Sequence, residues 1–460
     1  MIASVNPATE EVLAEFEPWP AGKVDEAIDQ VVAAQSTWRR MSIVQRSVPM
    51  RRAAELLRQR AERYGALITS EMGKPIVEAE AEVNKCALAC DHYADHAAEY
   101  LADAPVATES LESYVAYQPL GTILAIMPWN FPFWQVFRAA VPTLMAGNGV
   151  VLKHASNVPQ SALACEQVLR EAGLPDGLLR TVLIAGADTE RLIDDDRISG
   201  VTLTGSSEVG ARIASLAAAR IKKQVLELGG SDPFIVLADA DLDYAARTAA
   251  RARNQNNGQS CIAAKRFIVE EPVADEFGAR FVDAVRALRV GDPTSHDTNV
   301  GPLARGDLRD TLERQVNESR RMGAEPLVGG ERVAGRGYYF APTVLDSVTD
   351  AMPAFREETF GPVAALVRAR DVDHAIELAN DTEYGLGAAV WTRDLDAAKG
   401  IARRIEAGSV FVNGLVASDP RMPMGGVKQS GYGRELGRHG IWEFTNIQTV
   451  RIGPAEAPKA

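Results

Sequence analysis

Two side chains in this sequence have the type and setting to carry a two-step reaction, the carboxylate of Glu227 and the thiol of Cys261. Glu227 opens Glu227-Leu228-Gly229-Gly230-Ser231-Asp232-Pro233, and Cys261 closes Asn256-Asn257-Gly258-Gln259-Ser260-Cys261. Small and turn-forming neighbours leave backbone N–H groups near both side chains and room for a substrate. A thiol attacks as its thiolate, and a nearby carboxylate can take a proton in a later step. The expectation is one active site, assembled by folding from two halves.

Other residues fit around that pair. Pro128-Trp129-Asn130-Phe131-Pro132 follows an apolar strand, and two prolines fix the backbone around Asn130, whose amide N–H₂ could donate to an oxyanion. An Asn between prolines is also an ordinary turn residue. Val201-Thr202-Leu203-Thr204-Gly205-Ser206-Ser207 reads as a strand, a tight turn and a helix start, a setting that offers free N–H groups to a phosphate. A plain serine cap on a surface helix would look the same. Lys153 ends a strand, where ligands of open α/β sheets sit, and a solvent lysine is the plainer reading. Gly431-Tyr432-Gly433-Arg434-Glu435-Leu436-Gly437 has dinucleotide-like glycine spacing, but no preceding strand, and is set aside as a decoy. Cys86, Cys90 and Cys165 fall in apolar helical patterns and read as buried, inert thiols. His92 and His96 share a helix face without a third ligand, so no metal is expected.

These residues need elements to hold them. Residues 24–64 carry helical periodicity with breaks near Ser42 and Pro49, and 76–103 reads as one long helix. From 121 onward, apolar strands alternate with helices, which means a parallel sheet covered on both faces. A second α/β set begins past Cys261 and runs through strand 409–413. The strands at 113–118 and 446–452 have no obvious partner in either unit, and such strands are often covered by another subunit. The chain therefore divides into a cofactor-binding unit (1–103 and 120–229), a catalytic unit (230–440) and a β arm (104–119 and 441–460).

Bulk properties exclude whole classes. A net charge of −13 over 460 residues argues against bulk nucleic-acid binding. The N-terminus lacks a basic and apolar leader, no apolar run is long enough to span a bilayer, and four cysteines suit a reducing compartment, so the cytoplasm is expected.

Taken together, the motifs resemble the NAD(P)-dependent aldehyde dehydrogenase superfamily over nearly the whole chain. Asn6-Pro7-Ala8-Thr9, Pro128-Trp129-Asn130-Phe131-Pro132, Glu227-Leu228-Gly229-Gly230, Gly258-Gln259-Ser260-Cys261, Glu358-Thr359-Phe360-Gly361-Pro362 and Asn413-Gly414 occur in that family's order. The resemblance implies its fold, a Rossmann-like cofactor domain, a second α/β catalytic domain and a small β oligomerisation arm, with a homodimer or homotetramer as the assembly. It implies Cys261 as nucleophile, Asn130 and the Cys261 N–H as oxyanion donors, and Glu227 as the base that releases a thioester. On the cofactor side it implies Glu358 and Phe360 at the nicotinamide ribose, Lys153 at the adenine-side ribose, and Gly205 and Ser206 at the pyrophosphate, with Trp129 and Leu228 completing the pocket.

NAD-preferring members often carry Glu three residues after this Lys; here the position is Ser156, which with Lys153 and His154 would welcome a 2′-phosphate. NADP is therefore expected over NAD. Arg138 lies on the helix expected to line the aldehyde tunnel, and Ser418 precedes Gly425-Gly426. Both could meet a distal carboxylate, and the chain is most similar to bacterial NADP-dependent succinate-semialdehyde dehydrogenases. An ion pair of Arg138 within its helix is the plainer reading. A cysteine hydrolase or acyltransferase without nicotinamide, a CoA-acylating enzyme, a non-catalytic relative, or a dehydrogenase of a different small aldehyde are the competing readings.

Overall fold

The apolar runs between 122 and 227 become the strands of a six-stranded sheet in the computed structural model, which describes residues 1–454. Its order is Leu179–Thr181, Gly149–His154, Thr122–Met127, Ile198–Thr204, Lys223–Glu227, Gly431–Tyr432, parallel except for the last pair. Strand Thr122–Met127 is buried at every position, as a central parallel strand covered on both faces must be. Among the covering helices are Trp134–Met145, Pro159–Glu171 and Ser207–Ala219.

A seven-stranded sheet forms the second layer system, in the order Glu325–Val328, Thr343–Asp346, Val363–Ala369, Ala264–Glu270, Asp232–Val236, Gly387–Trp391, Ser409–Val412. Only its edge strand Glu325–Val328 is antiparallel. The chain passes from one sheet to the other within a few residues, because Glu227 ends a strand of the first and Asp232 begins a strand of the second.

Three readings of the sequence need correction. The N-terminal stretch folds as helices Ala21–Trp38, Ile43–Gln59 and Ala61–Met72; Ser42 does break it, through a capping box with Gln45, but Pro49 lies inside a helix. Pro49 is buried there, so packing outweighs the loss of one helical hydrogen bond. Second, Glu112–Pro119 and Thr445–Ile452 join neither α/β sheet, as expected, but they are not left without a partner in the chain, because they pair with each other along their full antiparallel length, with Ala104–Pro105 adding a short third strand. Third, Gly431–Tyr432 belongs to the cofactor-side sheet, pairing with Leu226 and Glu227, so residues 230–440 are not all one unit. Two residues give too short an apolar run to read as a strand.

Among the described residues, no helix is long and apolar enough to cross a membrane, and no cluster of His, Cys, Asp or Glu is arranged to hold a metal ion.

Candidate active site

Parallel register puts the expected residues along one edge. Met127 pairs with His154, Ile126 with Leu203, and Thr204 with Glu227, so these strands end side by side. Asn130, Lys153, Gly205-Ser206 and Glu227 all lie at this carboxyl edge, where open α/β sheets bind ligands.

Cys261 arrives from the other sheet's side, after helix Leu242–Asn254 and the turn Gln255–Gly258. Asn256 and Asn257 adopt left-handed backbone conformations (φ 58° and 57°), which Asn tolerates better than most residues. Their side chains hold the turn: Asn256 Nδ2 donates to the carbonyls of Asn130 and Gln259 (both 2.8 Å), and Asn257 Nδ2 to those of Gly73 and Pro302. Gly258 has φ +73°, and a Cβ there would come within 2.3 Å of the Gly361 backbone. Glycine at 258 therefore lets the cysteine turn touch the Glu358–Pro362 segment. Gly229 and Gly230 do the same for the other half, since Cβ atoms on them would meet Glu358 Oε2 at 2.7 Å and the Cys261 carbonyl at 2.5 Å. The two ends of the 227–261 stretch are in contact. Asn130 Nδ2 donates to the Gln259 carbonyl at 3.1 Å, which ties an amide with a second N–H to the backbone two residues before the thiol.

Lys265 was not legible in the sequence. Buried four residues past the thiol, its ammonium donates to the carbonyls of Ser260, Cys261 and Ala263 (2.9–3.1 Å) and lies 3.8 Å from Glu358. It fixes the Cys261 backbone and adds positive potential there. Burial nonetheless dominates and pushes the Cys261 thiol up to about 12, with Arg138 and Lys265 pulling the other way.

Glu227 is buried, and neither carboxylate oxygen is hydrogen bonded to a protein group. Burial pushes its pKa up to about 8, partly offset by Arg138, whose Nη2 is 4.0 Å away. Arg138 itself departs from expectation. Its guanidinium is ion-paired to Glu435 through Nε, with Nη2 donating to Thr204 Oγ1 (3.2 Å) and Nη1 reaching Met424 Sδ (3.3 Å). The pairing is not within its own helix, and it commits the guanidinium to groups of the chain itself. Two of the chain's own carboxylates already share this cation, and the nearer belongs to the segment read as a decoy. Burial would lower the Arg138 pKa, but Glu435 and Glu227 hold it raised.

A cavity of about 250 Å³ leads to Cys261, its wall including Lys85, Trp134, Arg138, Arg251 and Ser418. Sequence reasoning named Arg138 and Ser418 but missed Lys85, which sits on helix Ile76–Tyr100 with nothing in its neighbourhood to mark it.

On the cofactor side, Lys153 is half-buried at the end of its strand; burial alone lowers its pKa, with no neighbouring carboxylate contributing. Ser156 is exposed beside it, and Ser206 caps helix Ser207–Ala219, accepting from the Val209 N–H at 3.4 Å. Glu358 accepts from the Gly230 N–H at 3.0 Å, and Phe360 packs edge-on to Trp129 with centroids 5.7 Å apart. Leu228 is buried against Gly210, where a Cβ would meet it at 2.4 Å. A cation without a counter-ion and a helix N-terminus at the same carboxyl edge of the sheet, with no acidic residue at 156, fit a phosphorylated dinucleotide. His154 does not take part. Strand residues alternate in direction, and His154 turns inward, bonded to the Pro132 carbonyl at 2.9 Å and held neutral by burial, its pKa lowered to about 4.

Comparison with known proteins identifies the family. The aldehyde dehydrogenase family profile matches residues 1–450. A Synechocystis protein named "Probable succinate-semialdehyde dehydrogenase [NADP(+)]" is 52% identical, covering 98% of this chain and 99% of its own. The Escherichia coli succinate semialdehyde dehydrogenase [NAD(P)+] is 51% identical over 97% of both chains. Among solved structures, succinic semialdehyde dehydrogenase from Streptococcus pyogenes in complex with NADP+ superposes with a TM-score of 0.96 at 36% identity, over 99% of this chain and 100% of that one.

Proposed function

The chain belongs to the aldehyde dehydrogenase family, and from that premise we propose that it oxidises succinic semialdehyde to succinate with NADP preferred and NAD as a second acceptor. One observation carries the chemistry: the Cys261 thiol lines a cavity, the Asn130 amide is bonded to the Gln259 carbonyl two residues before it, and the unbonded Glu227 carboxylate lies 4.0 Å from Arg138 of the same cavity wall.

Cys261 attacks as thiolate, forming the S–C bond and an oxyanion that the Asn130 amide and the Cys261 backbone N–H stabilise. Bound NADP, held by Lys153, Ser156, Gly205, Ser206, Glu358 and Phe360, would supply the acceptor for the hydride that leaves the thiohemiacetal carbon. Collapse of the oxyanion leaves a thioester on Cys261. Ionised Glu227 then takes a proton from the attacking water, the C–S bond breaks, and Cys261 departs as thiolate. Arg138 lends a positive field at the inner end of the tunnel, and Ser418 offers a hydroxyl along it.

The names of the relatives and the cationic side chains of the tunnel support the substrate assignment. Four unpaired cysteines, Cys86, Cys90, Cys165 and Cys261, support the cytoplasm. The exposed face of the Glu112–Pro119 and Thr445–Ile452 strands supports self-association into a dimer or tetramer.

The test is nicotinamide absorbance on adding succinic semialdehyde with NADP or NAD. NADPH formation abolished by Cys261→Ala is expected; turnover of an ester without any nicotinamide response to aldehyde would establish the hydrolase reading instead.

A further inference from the structure

The charged groups around the tunnel can be accounted for one by one. Glu82 is ion-paired with the buried Lys74, and its other oxygen accepts the N–H groups of Phe133 and Trp134 at 2.8 and 2.9 Å. Glu78 accepts the Asn256 N–H at 2.6 Å, and Asp419, further out, is bonded to Arg421 at 2.6 Å. Arg138 is committed to Glu435 and Glu227. Arg251 is exposed at the mouth.

That leaves Lys85. It is turned into the cavity, and among the described residues no carboxylate lies within 4.0 Å of its ammonium. Its polar partner is Ser418 Oγ at 2.7 Å, while its ammonium also lies 4.4 Å from the Trp134 ring centroid. Lys85 is half-buried, and Glu82 and Asp419 act on it only from beyond 4.0 Å, each committed to a partner of its own; a partly desolvated cation with no carboxylate in contact marks a place where an anion is to be supplied from outside.

Ser418 strengthens the point through its hydrogen-bond inventory. A serine hydroxyl has two acceptor lone pairs and one donor. Both lone pairs are engaged here, by Lys85 Nζ and by Trp134 Nε1–H at 3.2 Å. The hydroxyl proton must then point to a third group, and Lys85 retains two more N–H donors. Such a pair presents donors only. It suits a carboxylate, and it has nothing to offer a ligand that must donate.

We propose that Lys85, with the Ser418 hydroxyl, is the subsite that receives the distal carboxylate of the semialdehyde, and that Arg138 is not its direct partner. The proposal rests on the dehydrogenase reading above and deepens it by naming the residue that sets substrate class.

The experiment compares succinic semialdehyde with its methyl ester, which keeps the aldehyde and the chain but removes the charge. In wild type, a preference for the free acid supports the substrate assignment itself, and no preference refutes that assignment. In Lys85→Met, kcat/KM for the acid should fall roughly 10- to 100-fold, mainly through KM, as expected for one charge-assisted contact, while the ester stays within about twofold. Retained ester turnover shows that the variant folds. Lys85→Arg should keep most of the preference. A second readout is free of turnover: succinate should slow alkylation of Cys261 in wild type and not in Lys85→Met. A wild-type preference that survives Lys85→Met, or a loss that is equal for acid and ester, overturns the role of Lys85 and leaves the proposed activity standing.

Discussion

Arg138→Met tests the account at its most loaded contact. The variant keeps an apolar side chain of similar length but removes the cation shared by Glu435 and Glu227. At 4.0 Å, two unit charges near a protein interior interact by about 4 kcal/mol at an effective dielectric of 20. That equals a ceiling of roughly 3 pH units on the Glu227 pKa. Glu435, left buried without its guanidinium, takes up a proton and so ceases to repel Glu227, which offsets part of that loss, and we expect an upward shift of about 1–2 units from about 8.

The sign follows from the chemistry. Glu227 must be ionised to take a proton from water, so deacylation rises with pH through its pKa, and the variant needs more alkaline conditions. At pH 7 the steady-state rate should fall roughly 10-fold or more. Acylation does not need Glu227 as a water base, so rapid mixing should show a burst of NADPH followed by slow turnover. The assay is the pH profile of the steady-state rate, with circular dichroism as the folding control. Removing one partner of a buried ion pair typically costs about 3–5 kcal/mol, so the double variant Arg138→Met/Glu435→Gln is the more stable background. An acidic limb that stays where it is in wild type would refute the idea that Arg138 tunes Glu227.

The remaining predictions address other contacts. Alkylation of Cys261 in the free enzyme should accelerate roughly 10-fold per pH unit between pH 7 and 9, since burial holds the thiol pKa near about 12; a plateau by pH 8 would contradict a protonated resting thiol. Gly258→Ala should lower both thermal stability and turnover, because its φ of +73° and the 2.3 Å approach to Gly361 leave no room for a Cβ; a cost of about 1–3 kcal/mol by chemical denaturation is expected. Ser156→Glu should lower kcat/KM for NADP at least roughly 10-fold and leave NAD nearly unchanged, by placing a carboxylate beside a 2′-phosphate near Lys153; an unaltered cofactor ratio would remove Ser156 from the site.

What the sequence could and could not reveal follows from range. The parallel strands were legible because each is a buried apolar run with a helix after it, as in Thr122–Met127. Asn130, Glu227 and Cys261 were legible because each stands in a short segment of turn-forming residues. Contacts across the fold were not. Glu435 lies in a glycine-rich stretch whose two-residue strand leaves no periodic trace, yet it pairs with Arg138. Lys85 and Ser418 are 333 positions apart, and nothing local announces that they meet. His154 failed for a simpler reason: next to Lys153 in sequence, it points to the opposite side of the strand.

The most direct test of the two-step account is to trap its intermediate. Glu227→Gln, incubated with succinic semialdehyde and NADP, acid-quenched and digested, should yield a succinyl thioester on the peptide carrying Cys261 at near-stoichiometric occupancy, whereas wild type should show little. An unmodified Cys261 in the variant alongside continued NADPH production, or an acyl group on any other residue, would contradict the assignment of Cys261 as the group that holds the substrate and Glu227 as the group that lets it go.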